Sequence, residues 1–134
     1  MVEARAEIVI DRPADEVWAR IRDFADVSWI PNTASVRMDG DVRRVTMEGL
    51  SVEVAQRLVS HDDEARTFSY EMAERLEPAP GFVVEFLEAV VEVTPIDDSS
   101  TRVTYDVDTH DFMVAAVNAE YQGALDKLKG MLEV

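Results

Sequence analysis

Hydrophobic positions along the chain change period three times. In "EARAEIVID", Ala4, Ala6, Ile8 and Ile10 fall on one face and Arg5, Glu7 and Asp11 on the other, the pattern of a half-buried strand. In "RPADEVWARIRDFADV", Val17, Ile21 and Phe24 or Ala25 recur at helical spacing, with Trp18 beside them. Pro13 suits the first turn of a helix, and Asp15 and Glu16 suit its positive end. "SWIPN" closes this region, because Pro31 disfavours helix at Ile30. From Ser35 to Thr109 strand signals dominate. Turn chemistry at 39–41, 48–50, 61–65, 77–81 and 95–100 divides six runs, roughly 35–38, 42–47, 51–60, 66–73, 83–94 and 101–109. With the first strand they make seven, and the short connections favour an antiparallel meander. The longer, Pro-rich connection at 74–82 suits a lid or rim. The tail becomes helical again over roughly 112–132: Val117, Tyr121, Ala124, Leu128 and Met131 recur at three and four, widened by Val114, Leu125 and Leu132. Such a broad stripe must lie against a sheet. Gly123 and Gly130 each weaken the helix by about 1 kcal/mol relative to Ala. They either admit a close backbone approach or are simply tolerated. One antiparallel sheet with helices on one face is an α+β fold, and 134 residues with no internal repeat form a single domain, 1–134.

Alternation also assigns inward faces. Val52, Val54, Gln56 and Leu58 form one set; Phe68, Tyr70 and Met72 a second; Leu87, Ala89, Val91 and Val93 a third; Val103, Tyr105 and Val107 a fourth. Val45 and Met47 join them. A lining so apolar, with scattered hydroxyls, suits either a filled core or a site for a hydrophobic ligand bearing one or two polar groups. Gln56 is the odd member. A buried amide must find partners, and here they are either a ligand or Tyr70 and Tyr105. Tyr121, on the apolar stripe of the last helix, can turn its hydroxyl toward the same space.

Composition narrows the function classes. The chain is 47% hydrophobic and carries 28 acidic against 13 basic side chains, a formal charge of −15. That balance argues against nucleic acid and against anionic lipid surfaces, both of which are bound through cationic side chains. No run approaches a membrane helix and no apolar leader begins the chain, so a soluble cytoplasmic protein is expected. With no Cys, thiolate metal sites and Cys nucleophiles are excluded. His61 and His110 lie far apart, without a metal-ligand spacing, so no metal is expected. No phosphate-binding glycine motif occurs, and no cofactor is expected. The serines lack a partner pattern for nucleophilic catalysis. His61 reads as a solvated turn residue, and "HDDE" as a solvated hairpin end. No catalytic residue is assigned.

The order of elements, together with "IVIDRPADEVWARIRDFADVSWIPN", resembles the START/Bet v 1-like (SRPBCC) superfamily, in its bacterial polyketide cyclase/dehydrase-like branch. Pro13, Ala14, Asp15, Glu16, Val17 and Trp18 stand where the family opens its first helix, and Trp29 and Pro31 form its Trp-Pro pair. "AQRLVSHDDEARTFSYEM" resembles its central hairpin and "VTPIDDSSTRVTYDVD" its last. The resemblance implies a helix-grip fold: a seven-stranded curved antiparallel sheet wrapping a long C-terminal helix, two short helices after the first strand, and a cavity between sheet and helix. It also implies that Trp29 closes or lines one end of that cavity. The candidate ligand-binding residues are therefore Trp29, Met47, Gln56, Phe68, Tyr70, Tyr105 and Tyr121. Three functions follow: a carrier of a small hydrophobic molecule, such as a lipid, polyketide or aromatic; a polyketide cyclase/dehydrase-like enzyme; and a protein-interaction module. A buried Arg or His would strengthen the enzyme reading, and none is clearly placed inside. A homodimer is compatible with all three.

Overall fold

The structure, a computed structural model, describes residues 2–49 and 53–134. The chain runs through β1 (Val2–Ile10), α1 (Ala14–Ile21), β2 (Thr33–Asp39), β3 (Val42–Met47), β4 (Glu53–Asp62), β5 (Thr67–Met72), β6 (Leu76–Ala79), β7 (Phe82–Val84), β8 (Leu87–Asp97) and β9 (Ser100–Thr109). A 3-10 turn (Asp111–Met113) then leads into α2 (Val114–Leu132). Seven strands form one sheet in the order β1-β9-β8-β5-β4-β3-β2, every pairing antiparallel. The arrangement is helix-grip: α2 packs on β1 and β9, and the β3–β5 end of the sheet lies beyond it.

The alternation predicted for β1 holds, with Ala4, Ala6 and Ile10 buried and Arg5 and Glu7 exposed. Phe68, Tyr70, Ala89, Val91, Val93, Val103, Tyr105 and Val107 all face the core. They meet Val117, Tyr121, Ala124, Leu125 and Leu128 of α2. Val52, assigned above to an inward face, lies outside the described residues, as does the predicted strand start at 51. A one-residue bulge between Leu58 and Ser60 leaves Val59 exposed and bends β4.

Three details differ from the sequence reading. Among the described residues only one helix lies between β1 and β2: residues 24–32 are a series of turns in place of the second short helix. Local side-chain bonds hold them, with Asp26 accepting from the backbone N–H and hydroxyl of Ser28, and Asp23 from the N–H of Ala25. Such bonds compete with helical ones. The run 83–94 is broken at Glu85 and Phe86. Its first residues pair back on β6 to make a separate hairpin over the connection expected to be a rim. β8 continues through Pro95, which sits at a bulge near the strand end, where its missing N–H is tolerated.

The acidic turn "HDDE" is an anchor. Asp63 accepts from Trp18 Nε1 at 2.9 Å and from Arg22 Nε and Nη2 at 2.9 and 2.8 Å, and lies 3.0 Å from His61 Nε2. These bonds tie α1 to the β4–β5 hairpin. Arg22 first, then His61 and Trp18, hold the Asp63 carboxyl well below its ordinary range.

Candidate functional site

α2 covers the β1 and β9 end of the sheet, and a space remains between its other flank and β3–β5. This cavity, of about 170 Å³, is walled by Val45 and Met47 of β3, Val54 of β4, Met72 of β5, Leu76, Pro78 and Val84 of the small hairpin, and Val117 and Ala124 of α2. It is predominantly apolar. Its polar groups are Arg43, Gln56, Tyr70, Tyr105 and Tyr121, with Thr33 and Glu120.

The polar cluster follows from register. Arg43 and Gln56 are directly paired across β3 and β4, and Arg43 Nε donates to Gln56 Oε1 at 2.6 Å. Arg43 Nη1 donates to the backbone carbonyl of Phe24 at 3.0 Å. Its guanidinium carbon lies 4.1 Å from the centre of the Phe24 ring and 5.0 Å from that of Tyr70. Arg43 is only 1% exposed, the one charged side chain of the buried class among the described residues. Tyr70 and Tyr105 sit on strands either side of β8. The β8 residue opposite Tyr70 is the small Ala89, and the two hydroxyls hydrogen-bond to each other. Tyr105 stacks on Tyr121 with ring centres 4.2 Å apart. All three tyrosines of the chain therefore meet at one cavity wall. Burial, foremost, pushes the phenol pKa of Tyr105 and of Tyr121 well above the ordinary value. Both stay protonated at neutral pH and offer O–H donors. Glu120 keeps solvent access at the cavity wall, yet desolvation by surrounding protein raises its carboxyl pKa.

Of the seven candidates, Met47, Gln56, Tyr70, Tyr105 and Tyr121 lie together on the cavity wall. Trp29 and Phe68 do not. Trp29 is 1% exposed and packs against Tyr105, while its neighbour Ile30 faces the cavity. Phe68 lies toward α1, against Trp18 and Phe24. The two charged cavity residues escaped the sequence reading. Arg43 has the inward parity of Val45 and Met47, and its charge alone concealed it, so the expectation of no buried arginine is corrected. Glu120 follows Val117 by three on α2 and shares its side of the helix. Gln56 resolves to a protein partner, but that partner is Arg43 rather than a tyrosine.

A long helix laid across a curved antiparallel sheet, with a cavity between, defines a protein of the START/Bet v 1-like superfamily. The chain belongs to the polyketide cyclase/dehydrase and lipid transport family, whose model matches residues 1–133. Among solved structures it is similar to the protein XoxI from Bacillus cereus, with TM-score 0.87 and 18% identity over 99% of this chain and 96% of that one. It is similar to the di-domain ARO/CYC BexL of the BE-7585A biosynthetic pathway, with TM-score 0.81 and 22% identity over 99% of this chain and 47% of that longer protein. Norcoclaurine synthase from Thalictrum flavum matches with TM-score 0.75 and 15% identity over 98% and 86% of the two chains. At these identities the likeness is one of fold. No curated protein matches the sequence. Among the described residues no helix is long and apolar enough to cross a membrane, and no group of three or more His, Cys, Asp or Glu is placed to hold a metal ion.

Proposed function

We propose that the protein binds a small, largely apolar molecule in the cavity between α2 and the β3–β5 end of the sheet. The observation that carries this reading is the wall itself: predominantly aliphatic side chains, interrupted by a few hydrogen-bonding groups from the sheet and from α2. Such a site gains affinity from apolar burial, at about 25 cal/mol per Å² before association costs, and orientation from a few polar contacts. The volume of about 170 Å³ is close to that of an engineered cavity of about 150 Å³ that holds benzene. It suits a single ring or a short chain. Native mass spectrometry of freshly purified protein tests for a co-purified molecule. Calorimetric titration with cinnamamide, a neutral single-ring probe, tests binding directly. Saturable one-to-one binding is expected, and its absence would return the space to the core and favour the interaction-module reading.

The second reading is a cyclase/dehydrase-like enzyme, as the name ARO/CYC describes for BexL. Arg43 favours it, because a buried cation beside an apolar site can polarise a carbonyl oxygen as negative charge develops there. Tyr70, Tyr105 and Tyr121 would add O–H donors, and Glu120 is the carboxylate available to take a proton. A long poly-β-ketone exceeds the cavity, so this reading also needs the β6–β7 hairpin to move. Carriage of a small ligand needs no such motion and stands first.

A further inference from the structure

No carboxylate among the described residues matches the charge of Arg43. Eight other arginines, at positions 5, 12, 20, 22, 37, 44, 57 and 66, each have an Asp or Glu oxygen within 4 Å. All of those side chains keep solvent access. Arg43 is 1% exposed, and its recorded acceptors are both neutral, the amide oxygen of Gln56 and the carbonyl of Phe24. Nη2 has no acceptor among the described residues. The chain has 28 acidic side chains, and none among the described residues is paired with Arg43. Removing a cation from water costs several kcal/mol, which only good partners offset. The rings of Phe24 and Tyr70 offset part of it by cation–π attraction.

We infer that the cavity takes an anion: a single-ring or short-chain carboxylate whose charged end meets Arg43 and whose apolar end lies against Val45, Met47, Val117 and Ala124. The inference rests on the ligand-binding reading above and names the class of ligand. The phenols on the same wall fit it. Tyr121 and one member of the hydrogen-bonded Tyr70–Tyr105 pair can donate to an oxyanion, and the field of Arg43 already reaches Tyr105, where it works against the effect of burial. Two features oppose an anion. Glu120 stands on the α2 wall, and the molecule as a whole is strongly acidic. Salt screens distant surface charge beyond about 8 Å at physiological ionic strength, so that charge slows entry more than it weakens the bound state. Desolvation raises the Glu120 carboxyl pKa, which works toward its neutral form beside an anion.

The test is a matched pair of probes, cinnamate and cinnamamide, equal in size and differing in charge. Calorimetric titration at neutral pH should find cinnamate bound roughly tenfold tighter or more, because a hydrogen bond to an ionised acceptor is about twice as strong as a neutral one. Arg43→Met should erase the preference for cinnamate over cinnamamide. Arg43→Lys, which keeps the charge but not the fork, should retain part of it. Equal binding of the two probes by the wild type would overturn the inference and leave the cavity reading standing. Binding of neither would remove both. Should Arg43→Met fail to fold, the wild-type comparison together with Arg43→Lys still decides.

Discussion

Ala124 gives the most direct measure of whether the space beneath α2 is usable. It is almost fully buried, and it shares the cavity-facing side of the helix with Val117 and Tyr121. Ala124→Leu adds three carbons to a cavity of about 170 Å³, room enough for them. Each buried methylene contributes about 0.8 kcal/mol, so filling should stabilise the fold by roughly 2 kcal/mol. The lower helix propensity of Leu subtracts only a few tenths of a kcal/mol. In a domain of this size the gain corresponds to a rise in melting temperature of roughly 5–10 °C. A core already full would behave oppositely, with overpacking costing about 1–3 kcal/mol. Thermal melts read the sign. Titration with cinnamamide should show weakened binding in the same variant, because the added side chain occupies the probe's place. A lower melting temperature with unchanged cinnamamide affinity would refute the reasoning on both counts.

Three further outcomes are expected. A Cβ at Gly123 would meet Pro31 Cγ at 3.9 Å, an ordinary contact, and one at Gly130 meets nothing within 4 Å; Gly123→Ala and Gly130→Ala should therefore each stabilise the protein by up to about 1 kcal/mol, and a loss in denaturant melts would contradict this. The Asp63 carboxyl titrates below its ordinary value of 3.8 in the folded protein, so its stabilising contribution is fully present above that value and is lost as pH falls from there toward the lower folded-state pKa. The stability difference between wild type and Asp63→Asn should accordingly shrink between roughly pH 5 and pH 2; a pH-independent difference would rule the anchor out. In a Trp18→Phe background Trp29 is the sole tryptophan, and its burial predicts blue-shifted emission that iodide barely quenches, whereas ready quenching would place it at the surface.

Much of the architecture was legible in the residue pattern, because a strand with one buried face must alternate and a helix on a sheet must carry a broad stripe. The faces of β1, β5, β8 and β9 and the span of α2 follow from that constraint alone. It is a local constraint. It says which side of an element a residue occupies, and nothing about what stands opposite. The turns at 24–32 replaced the expected second helix because Asp23 and Asp26 bond the backbone locally, a competition that apolar spacing does not record. Trp29 and Ile30 are neighbours in sequence, yet only the path of those turns decides that Ile30 faces the cavity and Trp29 the core behind it. The Asp63 anchor joins residues more than forty positions apart. Arg43 shows the division most clearly. Its parity was readable beside Val45 and Met47, but a charged side chain can lie inside only where specific partners receive it. The pairing of β3 with β4 brings Gln56, and the turn after α1 brings the carbonyl and ring of Phe24. Those partners come from two separate stretches of chain, and tertiary structure alone assembles them around one guanidinium group.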